Sequence, residues 1–114
     1  MAHENKGATA EKLALAFLQR NGLQLIESNF RCRFGEIDLI LHDGSTLVFV
    51  EVRLRSSQCF DGAAASVTSA KQGRITRAAE TYLQQQRRDM PCRFDVVVLD
   101  GEHKIEWIKN AFAT

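Results

Sequence analysis

With 114 residues, 45% of them hydrophobic and 25% charged, the chain has the make-up of one globular domain spanning 1–114, long enough for a single core and too short for two. A formal net charge of +1 excludes the broad positive field of a strongly basic nucleic-acid binder, so any such role must rest on local clustering. No apolar run approaches membrane-spanning length and the start, Met-Ala-His-Glu-Asn-Lys, carries no apolar signal core, which predicts a cytoplasmic protein without membrane contact.

The first element is a helix from about Thr9 to Arg20, where Ala10, Leu13, Ala14, Phe17 and Leu18 fall at helical spacing on one stripe. Asn21-Gly22 stops it, because both residues tolerate the left-handed backbone that ends helices. Leu23 to Phe30 reads as a strand. Two further strands, Glu36–Leu41 and Leu47–Arg53, flank Asp43-Gly44 and form a hairpin. Ser56 to Ser66 is small and polar and predicts a mobile loop. A second helix runs from about Thr68 to Arg88, capped by Thr68 or Ser66, with Ile75, Ala78, Ala79, Tyr82 and Leu83 inward. Pro91 marks its end. Arg93 to Leu99 is a strand buried on both sides, since Val96-Val97-Val98 leaves no polar face. Asp100-Gly101-Glu102 turns it into an edge strand, Lys104 to Ile108, carrying Trp107.

This order, helix, three strands, helix, two strands, predicts an α/β domain with a mixed five-stranded sheet and helices packed on its faces. The strand from Arg93 returns parallel to Leu47–Arg53 through the long helix, the connection parallel pairing requires. The apolar hairpin face and both helical stripes are expected to close one core. Cys32, Cys59 and Cys92 lack any Cys-x-x-Cys spacing and read as free thiols, and His3, His42 and His103 are scattered loop histidines.

The hairpin carries the chemistry. For any loop with an even number of residues, Glu36, Asp38, Ile40, Leu47, Phe49, Glu51 and Arg53 share one side, and Ile37, Leu39, Leu41, Val48, Val50 and Val52 share the other. A four-residue loop sets Asp38 opposite Glu51 and Glu36 opposite Arg53. Facing carboxylates repel, and a buried ionised group costs several kcal/mol unless it is paired. Either a divalent cation such as Mg²⁺ neutralises them, or Arg31, Arg33, Arg53 and Arg55 do so in a structural salt-bridge cluster.

Gly35-Glu36-Ile37-Asp38-Leu39-Ile40, Val48-Phe49-Val50-Glu51-Val52-Arg53, Lys71, Arg74 and Ala78 on a helix, and Arg93-Phe94-Asp95-Val96 together resemble the small bacterial YraN family, over nearly the whole chain. That family is grouped with the restriction-endonuclease-like nucleases and is similar in its core to Holliday-junction resolvases. The resemblance implies a superfamily motif of Asp followed by Glu-x-Lys around Mg²⁺ or Mn²⁺. Asp38 and Glu51 fall on the metal ligands, Arg53 falls on the lysine, and Glu11 matches the acidic residue that the first helix often adds to the metal set. Arg53 is a departure, because a guanidinium stays protonated and cannot accept a proton from water.

The activity so implied is metal-dependent phosphodiester hydrolysis on nucleic acid, DNA in structured or branched form above all. Asp38 and Glu51 would hold the metal, Arg53 would clamp the phosphate, and Glu36 or Lys71 would place the nucleophile. Arg31, Arg33 and Arg55 beside the acidic strands, with Lys71, Arg74 and Arg77 along the second helix, would track the nucleic-acid backbone. A homodimer is implied because resolvases cut two strands, although the pattern contains no dimer seam. Two other readings stand beside this one: an inactive nucleic-acid-binding module on the same fold, and a protein-interaction domain whose clusters neutralise one another.

Overall fold

A computed structural model describes residues 6–54, 67–87, 90–100 and 104–112. The expected loop Ser56 to Ser66, together with Arg55, Cys59, Arg88, His3 and His103, lies outside the described residues. Helix α1 spans Lys6–Arg20. It ends as its sequence requires: Gly22 takes φ 94°, Leu23 N donates back to Leu18 O at 3.1 Å, and the Asn21 side chain donates to Phe17 O at 2.8 Å. Strands β1 (Gln24–Cys32), β2 (Gly35–Asp43) and β3 (Thr46–Leu54) follow. Helix α2 (Ser69–Gln86) begins at Thr68, whose side chain accepts from Lys71 N, and stops at Arg87 in the left-handed region. Strands β4 (Cys92–Leu99) and β5 (Ile105–Phe112) complete the chain. Strand β5 runs four residues past the expected Ile108 end.

The strands lie in the order β1-β2-β3-β4-β5, antiparallel throughout except for the parallel β3–β4 pair that α2 connects. The hairpin register pairs His42 with Leu47 and Leu39 with Val50, the register of the four-residue loop. Rungs continue to Asp43 and Thr46, so the tight reversal is Gly44-Ser45, with Gly44 at φ 61°.

The single core expected from the sequence is divided in two by this sheet. Ala10, Ala14 and Leu18 of α1 pack on Leu39, Leu41, Val48, Val50, Val97 and Leu99, whereas Ile75, Ala78, Ala79 and Tyr82 of α2 pack on Ile40, Leu47, Phe49, Phe94, Val96 and Val98. Each helical stripe buries against its own face because alternation makes both faces of β3 and β4 apolar. On the α2 face, the Tyr82 ring meets Phe30 and Phe49 edge-on, with centroids 5.3 and 6.1 Å apart.

One residue departs from the expected alternation. Ile37 packs in the α2 cluster, not with Leu39 and Leu41 on the α1 face. The phase of β2 therefore slips by one at Asp38. On the β1 side the neighbouring rungs are Ser28 with Leu39 and Phe30 with Ile37, and Asn29, which faces the slip, sits at φ 55°. An asparagine adopts that backbone more readily than most residues, which allows a strand to be twisted there without glycine.

A second polar feature is structural. Asp95 on β4 is buried, and its carboxylate accepts from Arg93 Nε at 3.1 and 3.2 Å, from Trp107 Nε1 at 2.9 Å and from Asn110 N at 2.9 Å. Arg93 Nη1 reaches Asp43 at 3.2 Å. Burial works against the Arg93 charge, but the Asp95 and Asp43 carboxylates outweigh it and hold the guanidinium more firmly protonated. Asn110, at φ 53°, is turned toward Asp95 where β4 and β5 shift register. This knot ties β5 to the Asp95 carboxylate directly and the β2–β3 turn to it through Arg93.

Candidate functional site: a buried carboxyl pair where the sheet opens

The last rung between β2 and β3 on the site's side is Leu39 with Val50. Beyond it the Val52 N–H goes to the side chain of Asp38, at 2.8 Å from Oδ2, instead of to the backbone of β2. The two strands therefore part around Asp38 and Glu51, which are 9% and 6% exposed. Glu51 lies on the α2 face of β3 after Leu47 and Phe49, and Lys71, in the first turn of α2, sets its Nζ 2.7 Å from Glu51 Oε2. That contact is an ion pair between a partly exposed ammonium and a buried carboxylate oxygen.

The electrostatics follow from burial. Asp38 is pushed up to about 8, first by burial, then by its hydrogen bond to Glu51 and by the Glu51 charge, against the stabilising Val52 N–H. Near neutral pH Asp38 thus holds its proton in the folded chain. Glu11 reaches the same region from α1. Its pKa is also raised, by burial first and by Glu36 and Glu51, while a hydrogen bond to Asn29 and the Arg31 charge oppose the rise. Glu11, Lys12, Leu15, Ser28, Asn29 and Leu39 line a cleft of about 210 Å³ where α1 meets β1 and β2.

The predicted site residues separate into groups. Asp38, Glu51 and Lys71 are in one cluster, with Glu11 within electrostatic reach. Glu36 stands at the rim, exposed, and Arg31 pairs with it at 3.1 Å. Its partner is thus the facing residue of β1, not Arg53. Arg53 is half-buried two residues after Glu51, and its Nε is enclosed without a hydrogen-bond partner among the described residues. Arg33, stacked 4.7 Å over the Phe34 ring, shares a cleft of about 400 Å³ with Arg77, Glu80, Thr81 and Gln84. Arg74 is exposed, and its Cβ lies 3.3 Å from where a Cβ on Gly35 would stand, so the β1–β2 turn rides on α2 there.

Sequence reasoning missed Asn29, which holds Glu11 and marks the slip. The signal available was an asparagine in mid-strand directly before Phe30. Among the described residues, no group of three His, Cys, Asp or Glu side chains stands at metal-binding spacing. The pair itself suits a hard divalent cation, which typically takes one or two carboxylates and fills its remaining positions with water and phosphate oxygens. Replacing the Asp38 proton with such a cation would offset the Glu51 charge that helps to raise Asp38.

The molecule is a small α/β domain whose sheet opens around a buried carboxyl pair, and among the described residues no helix is long and apolar enough to cross a membrane. It belongs to the uncharacterised protein family UPF0102, whose model matches residues 10–99, in keeping with the family resemblance of its sequence motifs. A UPF0102 protein of Nitrosomonas eutropha is 59% identical over 109 residues, covering 96% of this chain and 94% of the relative. One from Nitrosomonas europaea is 59% identical over 110 residues, covering 95% and 93%, and one from Janthinobacterium is 53% identical over 110 residues, covering 96% and 89%.

Proposed function

We propose that the chain is a metal-dependent nuclease on a restriction-endonuclease-like fold, acting on nucleic acid, DNA in structured or branched form first, by phosphodiester hydrolysis. The observation that carries this reading is the burial of the Asp38 and Glu51 carboxyls side by side in the sheet opening, one bound by the Val52 N–H and the other met by the Lys71 ammonium. Asp38 and Glu51 would hold Mg²⁺ or Mn²⁺, with Glu11 oriented by Asn29 at its edge. Such an ion lowers the pKa of a bound water and offsets charge on the phosphate.

Arg53 supplies charge but no base. Its half-buried guanidinium would offer a positive charge to a phosphate oxygen and stabilise charge developing there. Arg33 and Arg77 in their shared cleft, with Arg31, Arg74 and Arg55, would guide the backbone. Glu36, bound to Arg31 at the rim, would order water near the phosphate. A homodimer would bring two such sites to two strands.

The test is a titration of Mn²⁺ and Mg²⁺ into the protein, followed by incubation with duplex, single-stranded and four-way DNA and with RNA. Cleavage that needs the ion and is lost in Asp38→Asn and Glu51→Gln is expected. Ion binding without cleavage of any substrate would reject hydrolysis. The fixed charge of Arg53 favours a second reading in that event: a binding module recognisable by nucleic-acid affinity that falls steeply with salt.

A further inference from the structure

The carboxyl pair has an amine beside it, and that amine comes from α2, not from the acidic strands. Thr68 Oγ1 accepts from Lys71 N at 3.2 Å, which fixes the backbone from which the lysine reaches across to β3. The Lys71 side chain is 34% exposed and the Glu51 side chain 6%, so a tether rooted at the surface delivers a positive charge onto a buried oxygen 2.7 Å away. The lysine ammonium is the positive group that the structure sets against this oxygen. The β3 position from which the resembled motif would supply an amine carries Arg53, whose Nε is enclosed and whose charge is fixed.

Resting on the ion-binding reading above, we propose that Lys71 is a tethered counter-cation, occupying Glu51 in the ion-free protein and competing with a divalent cation for it. Two positive charges at one buried carboxylate repel each other, so an arriving ion must drive the ammonium away or bind against it. Loss of the ammonium therefore tightens ion binding. A lysine that serves only to pack α2 on the sheet, or only to contact substrate, leaves ion affinity unchanged or lowers it. The partly exposed stem allows the head group to swing toward solvent or toward a phosphate when the ion takes its place.

The test needs no nucleic acid. Mn²⁺ is titrated by calorimetry into the wild-type chain and into Lys71→Met, Lys71→Gln, Lys71→Arg and Asp38→Asn, with circular dichroism confirming that each is folded. Lys71→Met and Lys71→Gln are expected to bind Mn²⁺ on the order of tenfold more tightly, the effect of removing one nearby unit charge. Lys71→Arg should stay close to wild type and Asp38→Asn should lose binding. Lys71→Gln carries the test if the methionine variant does not fold. Wild-type binding with no tightening in either neutral variant would overturn the role of Lys71 and leave the ion site standing. Silence from every protein, the neutral variants included, would overturn the ion site itself and this inference with it.

Discussion

Asp95 and the Asp38–Glu51 pair are both buried acidic features of one sheet, and they are solved in opposite ways. Asp95 is surrounded by donors from Arg93, Trp107 and Asn110, so its charge is satisfied within the protein and its burial stiffens the β4–β5 join. Asp38 receives one backbone N–H and faces a second carboxyl, with a lone, partly exposed ammonium beyond it. The same chemical group thus serves architecture where donors surround it and is left electrostatically unfinished where the strands part. That unevenly satisfied pair is the feature from which the proposed ion-binding role starts.

Several substitutions sharpen the contrast. The largest effect is expected at Asp95. Asp95→Asn leaves the Arg93 charge without its main partner and should lower stability by about 3–5 kcal/mol, the usual consequence of breaking a buried pair. Urea unfolding followed by circular dichroism measures it; a loss under about 1 kcal/mol would mean the knot is not a structural anchor. Trp107→Phe removes a single donor to Asp95 and part of the edge-on contact with Phe17, whose centroid is 6.0 Å away. It should cost about 2 kcal/mol, a charged hydrogen bond plus some packing, while Mn²⁺ affinity per folded molecule stays the same. A change in that affinity would show that the two regions are coupled.

Asp38 should behave with the opposite sign. Its carboxyl titrates near 8 in the folded chain against an ordinary 3.8. Between those values the native state holds a proton that the unfolded state has released, so raising the pH favours unfolding, and the loss is complete only above about 8. Asp38→Asn removes that liability. Measured without divalent ions, the variant should gain on the order of 1–2 kcal/mol at pH 8 and should lack the wild-type decline between pH 5 and 8. Identical pH profiles for the two proteins would show that the Asp38 side chain is solvated and the opening wet.

Much of this was legible beforehand, and the parts that were not share a cause. Alternation in β2 and β3 and an even loop suffice to set Asp38 and Glu51 together, and the apolar run Val96 to Val98 correctly signals a strand covered on both sides. Ile37 was placed on the wrong face because the slip at Asp38 depends on Asn29 turning in a neighbouring strand, which the pattern within β2 cannot register. The division of the core between two faces follows from where the crossover helix lands, a tertiary outcome. Asp95 lay hidden for a similar reason: Asp43 comes from the end of β2 and Trp107 and Asn110 from β5, and only folding brings them to one carboxylate and its arginine.

The smallest expected effect links stability to the site. Thr68→Ala removes the side-chain acceptor for Lys71 N and leaves the start of α2 without its cap. Stability should fall by about 1 kcal/mol, the ordinary value of such a cap. Fraying of the first turn also loosens the root of the Lys71 side chain, so the ammonium should spend less time on Glu51. Mn²⁺ binding should then tighten by about twofold, in the same direction as removal of the amine and by less, since the charge remains nearby. Equal tightening in Thr68→Ala and Lys71→Met would mean that position alone governs the competition. A stability loss with unchanged Mn²⁺ affinity would mean that Lys71 reaches Glu51 from a frayed turn as readily as from a capped one, and that the cap belongs to the helix and not to the site.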